Sequence, residues 1–255
     1  IMFRPRVIPV LLLNGSTLVK SIKFKDYNYI GDPINAVKIF NDLKADELVF
    51  LDINASKENR TIPLSFVSQL SEETNMPFAV GGGIKTLEDI QKIISAGAEK
   101  VIINSAAIEN PNFIKKATEH FGTSTIVVCI DVKKKLFKGK KVFGRAGQKS
   151  SGYSPVEFAK LMEQNGAGEL IIQSIERDGT MEGYDFELVE SISKSVSIPV
   201  VALGGAGNRE HFQKAYQEGY ASALGAGSMF VYQGKKRGVL VNYPKREELS
   251  QIFFN

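Results

Sequence analysis

Asp131 ends the apolar run VVCID, residues 127–131. A carboxylate at the end of a buried strand has its pKa raised and can exchange protons near neutrality, which makes Asp131 the best candidate for acid or base chemistry. Capping of the next loop is its plainer role. The run IPVLLLN, residues 8–14, looks like another copy of VVCIDVK, residues 127–133, with Leu12 where the second copy has Asp131. Leucine cannot transfer a proton, so Leu12 is either core packing or the place of a lost catalytic acid.

Other polar residues also close apolar runs: Asp52, Asn104 with Ser105, Gln173 with Ser174, Asp178 and Gly179 in ERDGT, and Gly227 with Ser228. Two glycine runs, VGGGIKT around Gly83 and LGGAGN around Gly204 and Gly205, lead into helical patterns that start at Thr86 and Asn208. Bare glycine lets backbone N–H groups approach an anion, and the helix dipole adds positive charge there. NSA at 104–106 and AGS at 226–228 supply a second turn beside each run. The pairs suit a substrate with a phosphate at each end, although tight turns alone also use glycine. Lys20, in the flexible stretch NGSTLVKS, could close over a bound phosphate or simply be solvated. Asp52 either bonds neighbouring loops or touches substrate. His120 and His211 lie on helical segments away from the strand ends. With those two histidines and the single Cys129 there is no metal-ligand cluster and no internal disulfide, so a site without metal or cofactor is expected.

The elements that must position these groups come in two copies. Residues 47–107 lie over residues 169–229 at a constant offset without a gap, Pro77 meeting Pro199 and Gly82 and Gly83 meeting Gly204 and Gly205. Each copy alternates short apolar runs with amphipathic segments, the pattern of parallel strands buried on both faces and joined by crossover helices. Strands are predicted at 6–13, 47–53, 77–81, 100–104, 126–131, 169–174, 199–203 and 222–226. Helices are predicted between them, from 32–44 to a last one near 245–253. Eight of each make a (β/α)₈ TIM barrel as a single domain over residues 1–255, with half-barrels at about 4–122 and 123–233 and a tail from 234. A doubly wound sheet is the alternative, but its G-x-G-x-x-G after the first strand is missing.

The chain has 255 residues, 43% hydrophobic and 24% charged, as in soluble globular proteins. Ile1 before Met2 reads as a cloning or processing remnant, and residues 2–30 hold no apolar run long enough for a signal peptide or membrane span, so the cytoplasm is expected. The net charge is +4, and the run KKKLFKGKKVFGRAGQK, residues 133–149, contains no acid. It reads as a solvated loop or as attraction for an anionic small molecule; it lacks the helical stripe or stacked aromatics of a nucleic-acid site. At the opposite strand ends, Arg6, Glu47, Lys100 and Glu169 could form a ring of ion pairs, either structural or the rim of an opening.

Seven segments in order, IPVLLLNGSTLVK, DELVFLDINAS, VGGGIKTLEDI, AEKVIINSAAIENP, IDVK, GAGELIIQSIERDGTMEGYD and IPVVALGGAGNREHF, resemble the cyclase subunit of imidazole glycerol phosphate synthase. The resemblance spans about residues 4–230. It implies a barrel fed with ammonia through its core by a glutaminase docked at the N-terminal face. It also implies that Gly83, Asn104 and Ser105 hold one phosphate, that Asp178, Gly179, Gly204, Gly205, Gly227 and Ser228 hold the other, and that Arg6, Glu47, Lys100 and Glu169 gate the ammonia channel. The family uses two aspartates as acid and base; Asp131 matches one, and Leu12 stands at the other.

Leu203 and Gln173 also depart from the family's polar positions, and so does the tail from Gly234. Changes at the mouth with an intact gate argue for an altered substrate. The tail GKKRGVLVNYP resembles the paralogous branch linked to amidation of sugars in surface-polysaccharide synthesis, where a third, sugar-handling protein takes part. An authentic histidine-pathway cyclase and a non-catalytic scaffold with phosphate sites are the alternatives.

Overall fold

A computed structural model describes residues 4–234 and 236–254; Ile1 and Met2, read above as a remnant, lie outside the described residues, as does Asn255 at the end of the tail. Eight strands, β1 (Arg6–Asn14), β2 (Leu48–Asp52), β3 (Phe78–Gly81), β4 (Lys100–Ile103), β5 (Ile126–Lys135), β6 (Glu169–Ser174), β7 (Val200–Leu203) and β8 (Ala223–Ala226), follow one another round a closed ring. Every ring neighbour is parallel, and β8 returns to β1. Outside lie α1 (Pro33–Asp42), α2 (Leu64–Glu73), α3 (Leu87–Ser95), α4 (Asn112–Phe121), α5 (Pro155–Gln164), α6 (Phe186–Ser193), α7 (Arg209–Gln217) and α8 (Arg246–Phe254). This is the (β/α)₈ TIM barrel expected from the sequence.

Alternation along each strand divides the apolar residues into two clusters. Ile8, Val10, Val49, Val127, Ile171 and Val201 fill the bore, while Val7, Leu11, Leu48, Phe50, Val128 and Leu170 pack against the helices. Period two is the pleat of a strand, and both faces are apolar because the helices cover the outside. The helices begin where the sequence can cap them. Thr86 with Asp89 and Ser154 with Glu157 form reciprocal capping boxes, and Asp32, Asp185 and Asn208 accept from the third helical N–H. Each cap contributes about 1 kcal/mol.

Two expected loops are hairpins instead. Residues Thr17–Ile22 fold back antiparallel on β1, with Leu12 opposite Val19, and pair in turn with Lys25–Gly31. The segment carrying Lys20 is therefore sheet, not a flexible stretch. The lysine-rich run continues β5 to Lys135 and returns along Gly139–Gly144, with Leu136 and Phe137 exposed at the tip. Both hairpins add to the core through Leu18 and Val142, and neither shows period-two apolar alternation.

The tail is tied to the opposite barrel end by a buried tyrosine. Tyr243 donates its hydroxyl to Val7 O (2.9 Å) and accepts from Asp46 N (3.3 Å), while Arg209 on α7 pairs with Glu248 on α8 (2.5 Å). Replacing Tyr243 with Phe leaves a buried carbonyl and a buried N–H without that partner, at about 1–3 kcal/mol. Urea denaturation of Tyr243→Phe should show a loss of that size with an unchanged slope; equal stability would mean that the hydroxyl does not anchor the tail.

Candidate functional site at the barrel mouth

The parity that points Ile8 and Val10 into the bore carries Arg6 to one end of it and Leu12 to the other. The same stepping links Glu47 to Leu51, Lys100 to Asn104, Val127 to Asp131 and Glu169 to Gln173. The ends are thus positioned by the same strands.

At the N-terminal end the four charges form a closed ring. The two guanidinium nitrogens of Arg6 contact Glu47 and Glu169 separately, and Lys100 Nζ lies 3.1 Å from a carboxylate oxygen of each. Glu47 and Glu169 are buried, and each is neutralised by both cations. Buried carboxylates persist only when paired this completely, because an unpaired buried charge costs several kcal/mol. Above the ring a void of about 10 Å³, close to the room one water needs, is walled by apolar residues including Ile8, Val49, Ala79 and Val201.

The mouth holds a cavity of about 470 Å³ that brings together Leu12, Lys20, Asp52, Asp131, Asp178 and both glycine turns. Asp131 is buried, and burial above all raises its pKa to about 7, with the charge of Asp178 adding to the rise and a hydrogen bond from the Cys129 thiol (3.5 Å) opposing it. Burial thus brings proton exchange at this carboxyl near neutrality. Burial also pushes the Cys129 thiol well above its ordinary range. Leu12, paired with Val19 and Leu51, offers only apolar surface beneath the cavity.

Lys20 is not a mobile cation. It is buried, donates to Val10 O, and has its pKa lowered to about 8 by burial, with Asp178 pulling the other way. Its Nζ stands over Gly227, where an added Cβ would lie 2.4 Å away, so a fixed charge adjoins the Gly227–Ser228 turn. Asp178 serves the hairpin that carries Lys20: its carboxylate accepts from Ser21 Oγ (2.7 Å), Phe24 N (3.3 Å) and Gln173 Nε2 (3.2 Å). Gly179 packs so tightly on Ser21 O that a Cβ would fall 2.1 Å from it. The two residues thus fix the first loop of the mouth.

Asp52 is taken up by its own loop. It accepts from Asn54 N and Ala55 N (3.0 Å each) and from Arg60 Nη1 (2.5 Å). Of the two roles open to it, loop bonding is the one the geometry fills. Asn104 Nδ2 donates to Cys129 O (3.0 Å), and Ser105 Oγ accepts from Arg145 N (2.9 Å), so both side chains brace neighbouring loops. The glycine turns pack closely on neighbouring backbone. Gly83 and Gly205 have φ of 69° and 108°, and a Cβ would strike Arg60 O at 1.8 Å and Gly183 O at 2.2 Å. Only glycine fits these turns.

Sequence reasoning missed Ser21, Arg60, Arg145 and the cavity-facing role of Cys129. Ser21, Arg60 and Arg145 act from loop or hairpin positions whose partners are 157, 8 and 40 residues away, and no periodic pattern announces such contacts. Among the described residues no group of His, Cys, Asp and Glu is arranged to hold a metal ion, and no helix is long and apolar enough to cross a membrane.

A closed barrel with a charge ring at one end and glycine turns round a buried carboxylate at the other is the frame of this (β/α)₈ protein, and residues 6–237 match the histidine biosynthesis protein family. A provisionally named imidazole glycerol phosphate synthase subunit hisF2 of Pseudomonas aeruginosa is 44% identical over 248 residues, covering 97% of this chain and 99% of its own. Imidazole glycerol phosphate synthase subunits HisF of Alkaliphilus metalliredigens and of a Nostoc species are 44% and 42% identical, covering 91% and 95% of this chain and 92% and 95% of theirs. The chain belongs to the family of HisF-type imidazole glycerol phosphate synthase subunits.

The raised pKa of Asp131 has a stability consequence. Between the unfolded carboxylate range and about 7 the folded protein keeps a proton that the unfolded chain has released, so this group costs stability as pH rises through that window. Asp131→Asn removes that cost. Relative to wild type, the variant should gain about 2–3 kcal/mol between pH 5 and pH 8, at about 1.4 kcal/mol per pKa unit. Denaturation curves at the two pH values measure it, and a difference that does not grow with pH contradicts the buried, proton-holding Asp131.

Proposed function

We propose that this barrel receives ammonia from a HisH-type glutaminase docked on its N-terminal face, in the cytoplasm, and supports ammonia incorporation at the mouth. The proposed acceptor is a phosphorylated or sugar substrate, with amidation of a surface-polysaccharide sugar by a third, sugar-handling enzyme as the specific reading. The observation that carries it is the pairing of an intact ring, Arg6, Glu47, Lys100 and Glu169, with Leu12 at the mouth. A ring of four buried or half-buried charges is costly to keep without a task. Loss of one member of an acid–base pair removes about 10²–10⁴-fold in rate. Keeping the entrance while losing half of the reacting pair supports a barrel that still handles ammonia but for a different acceptor.

On this reading the gate residues admit ammonia, the glycine turns with Gly83, Asn104 and Ser105 on one side and Gly204, Gly205, Gly227 and Ser228 on the other hold anionic groups, and Lys20 balances one of them. Asp178 and Gly179 position Lys20 through the hairpin. A second reading, the histidine-pathway cyclase, is favoured by Asp131, whose pKa of about 7 suits proton transfer, and by the names of the relatives.

The glutaminase encoded with this chain, mixed with the purified barrel, should form a stable complex, and its glutamine hydrolysis should rise at least about tenfold. The Lys100→Ala barrel should lose most of that stimulation, because Glu47 and Glu169 then share one cation. No complex and no stimulation by the wild-type barrel would overturn the proposal.

A further inference from the structure

Gln173 is the group at the mouth that the reading above does not use. It is buried, and its Oε1 has no hydrogen-bond partner among the described residues. Its Nε2 donates to the Asp178 carboxyl group, which leaves Oε1 as the amide atom without a partner. A buried acceptor without a partner costs about 1–3 kcal/mol. Such an orphan in a cavity wall marks the place of a donor that arrives with a ligand.

Gln173 and Asp131 are register partners on adjacent parallel strands, two residues above Ile171 and Cys129, which both line the bore. Both side chains therefore point into the top of the bore. The neighbouring bore-facing positions at this level are Leu12, Leu51 and Leu203. A molecule rising through the bore meets apolar surface and then two acceptors side by side. Around the pair, Lys20 Nζ donates one N–H to Val10 O, the Cys129 thiol donates to Asp131, and Asp178 accepts from Ser21, Phe24 and Gln173.

A ligand that arrives through the bore must pass a void of about 10 Å³, and one that satisfies both acceptors carries at least two hydrogen-bond donors. We infer that Gln173 Oε1 and the Asp131 carboxyl group form an ammonia-holding pair at the top of the bore, an inference that rests on the ammonia-delivery reading and names the groups that receive the cargo. Gln173 is a positioning residue for ammonia: one N–H goes to its Oε1, a second to Asp131, and the lone pair is left facing the cavity. Leu12, Leu51 and Leu203 supply apolar surface beside these two acceptors, and Lys20, Asn104 and Asp178 line the same cavity. Ammonium beside ionised Asp131 and ammonia beside protonated Asp131 hold the same number of protons, so ammonium chloride is a valid probe for either form.

The test is the titration of Asp131 followed by carbon NMR on aspartate-labelled protein, in ammonium chloride and in tetramethylammonium chloride at equal concentration. Two acceptors favour the cation, so the Asp131 midpoint should move down in ammonium and stay in tetramethylammonium, which has no N–H to donate. In Gln173→Leu the ammonium concentration needed for the same movement should rise at least about tenfold. An absent ammonium-specific movement in the wild-type protein overturns the inference even if the variant does not fold, and an undiminished movement in folded Gln173→Leu overturns the role of Gln173. Glutaminase coupling without any ammonium effect would leave the delivery reading standing and remove this site; an ammonium effect without coupling would do the reverse.

Discussion

Strand alternation is the constraint on which the rest of this molecule depends. Because every second residue of each parallel strand faces the bore, one choice of register settles the charge ring, the apolar passage and the mouth together. Arg6, Ile8, Val10 and Leu12 are successive steps of one such line, and Glu169, Ile171 and Gln173 are another. A slip of one residue in either strand would carry charge into the helix layer and empty the ring. The bulk of the fold energy comes from the outer cluster, where strands meet helices, and this leaves the inner residues freer to vary in polarity.

The mouth is governed by desolvation more than by charge pairing. Burial moves Asp131 up to about 7 and Lys20 down to about 8, and Asp178 is raised as well. The hairpin after β1 is the element that makes this so, since it closes over the strand ends, buries Lys20 and hands Ser21 to Asp178. In a flexible loop the same lysine would be solvated and its pKa unperturbed. The site thus keeps a proton-exchanging carboxyl and a low-pKa ammonium beside the Gly227–Ser228 turn, with apolar surface at Leu12.

The fold was legible because the buried parallel strands are short apolar runs, and predicted spans such as 169–174 and 6–13 agree with the observed strands to within a residue or so. The charge ring was legible for the same reason, as charges that begin apolar runs stand out. What the sequence concealed were contacts between loops. The hairpin of Lys20 was not among them: the Asn-Gly of NGSTLVKS is a hairpin signal, the observed turn is Gly15–Ser16 between paired Asn14 and Thr17, and reading the stretch as flexible passes over it. A phosphate role for Asp178 is what the resemblance implies, whereas its contacts with Ser21 and Phe24 join segments far apart in the chain and no local pattern announces them. The orphan oxygen of Gln173 could not be read at all, since satisfaction of a buried amide depends on every neighbour.

Leu12 connects these strands of reasoning: it lies two steps above Val10 in the bore, lines the mouth cavity, and leaves Asp131 without a carboxyl group from β1. Growth of a cyclase-deficient histidine auxotroph that expresses this chain with its glutaminase tests most directly whether ring-closing chemistry has left the barrel. No growth without histidine is the expected result, in a strain where the protein is shown to be present and folded. Growth matching that given by a cyclase with both aspartates would contradict it.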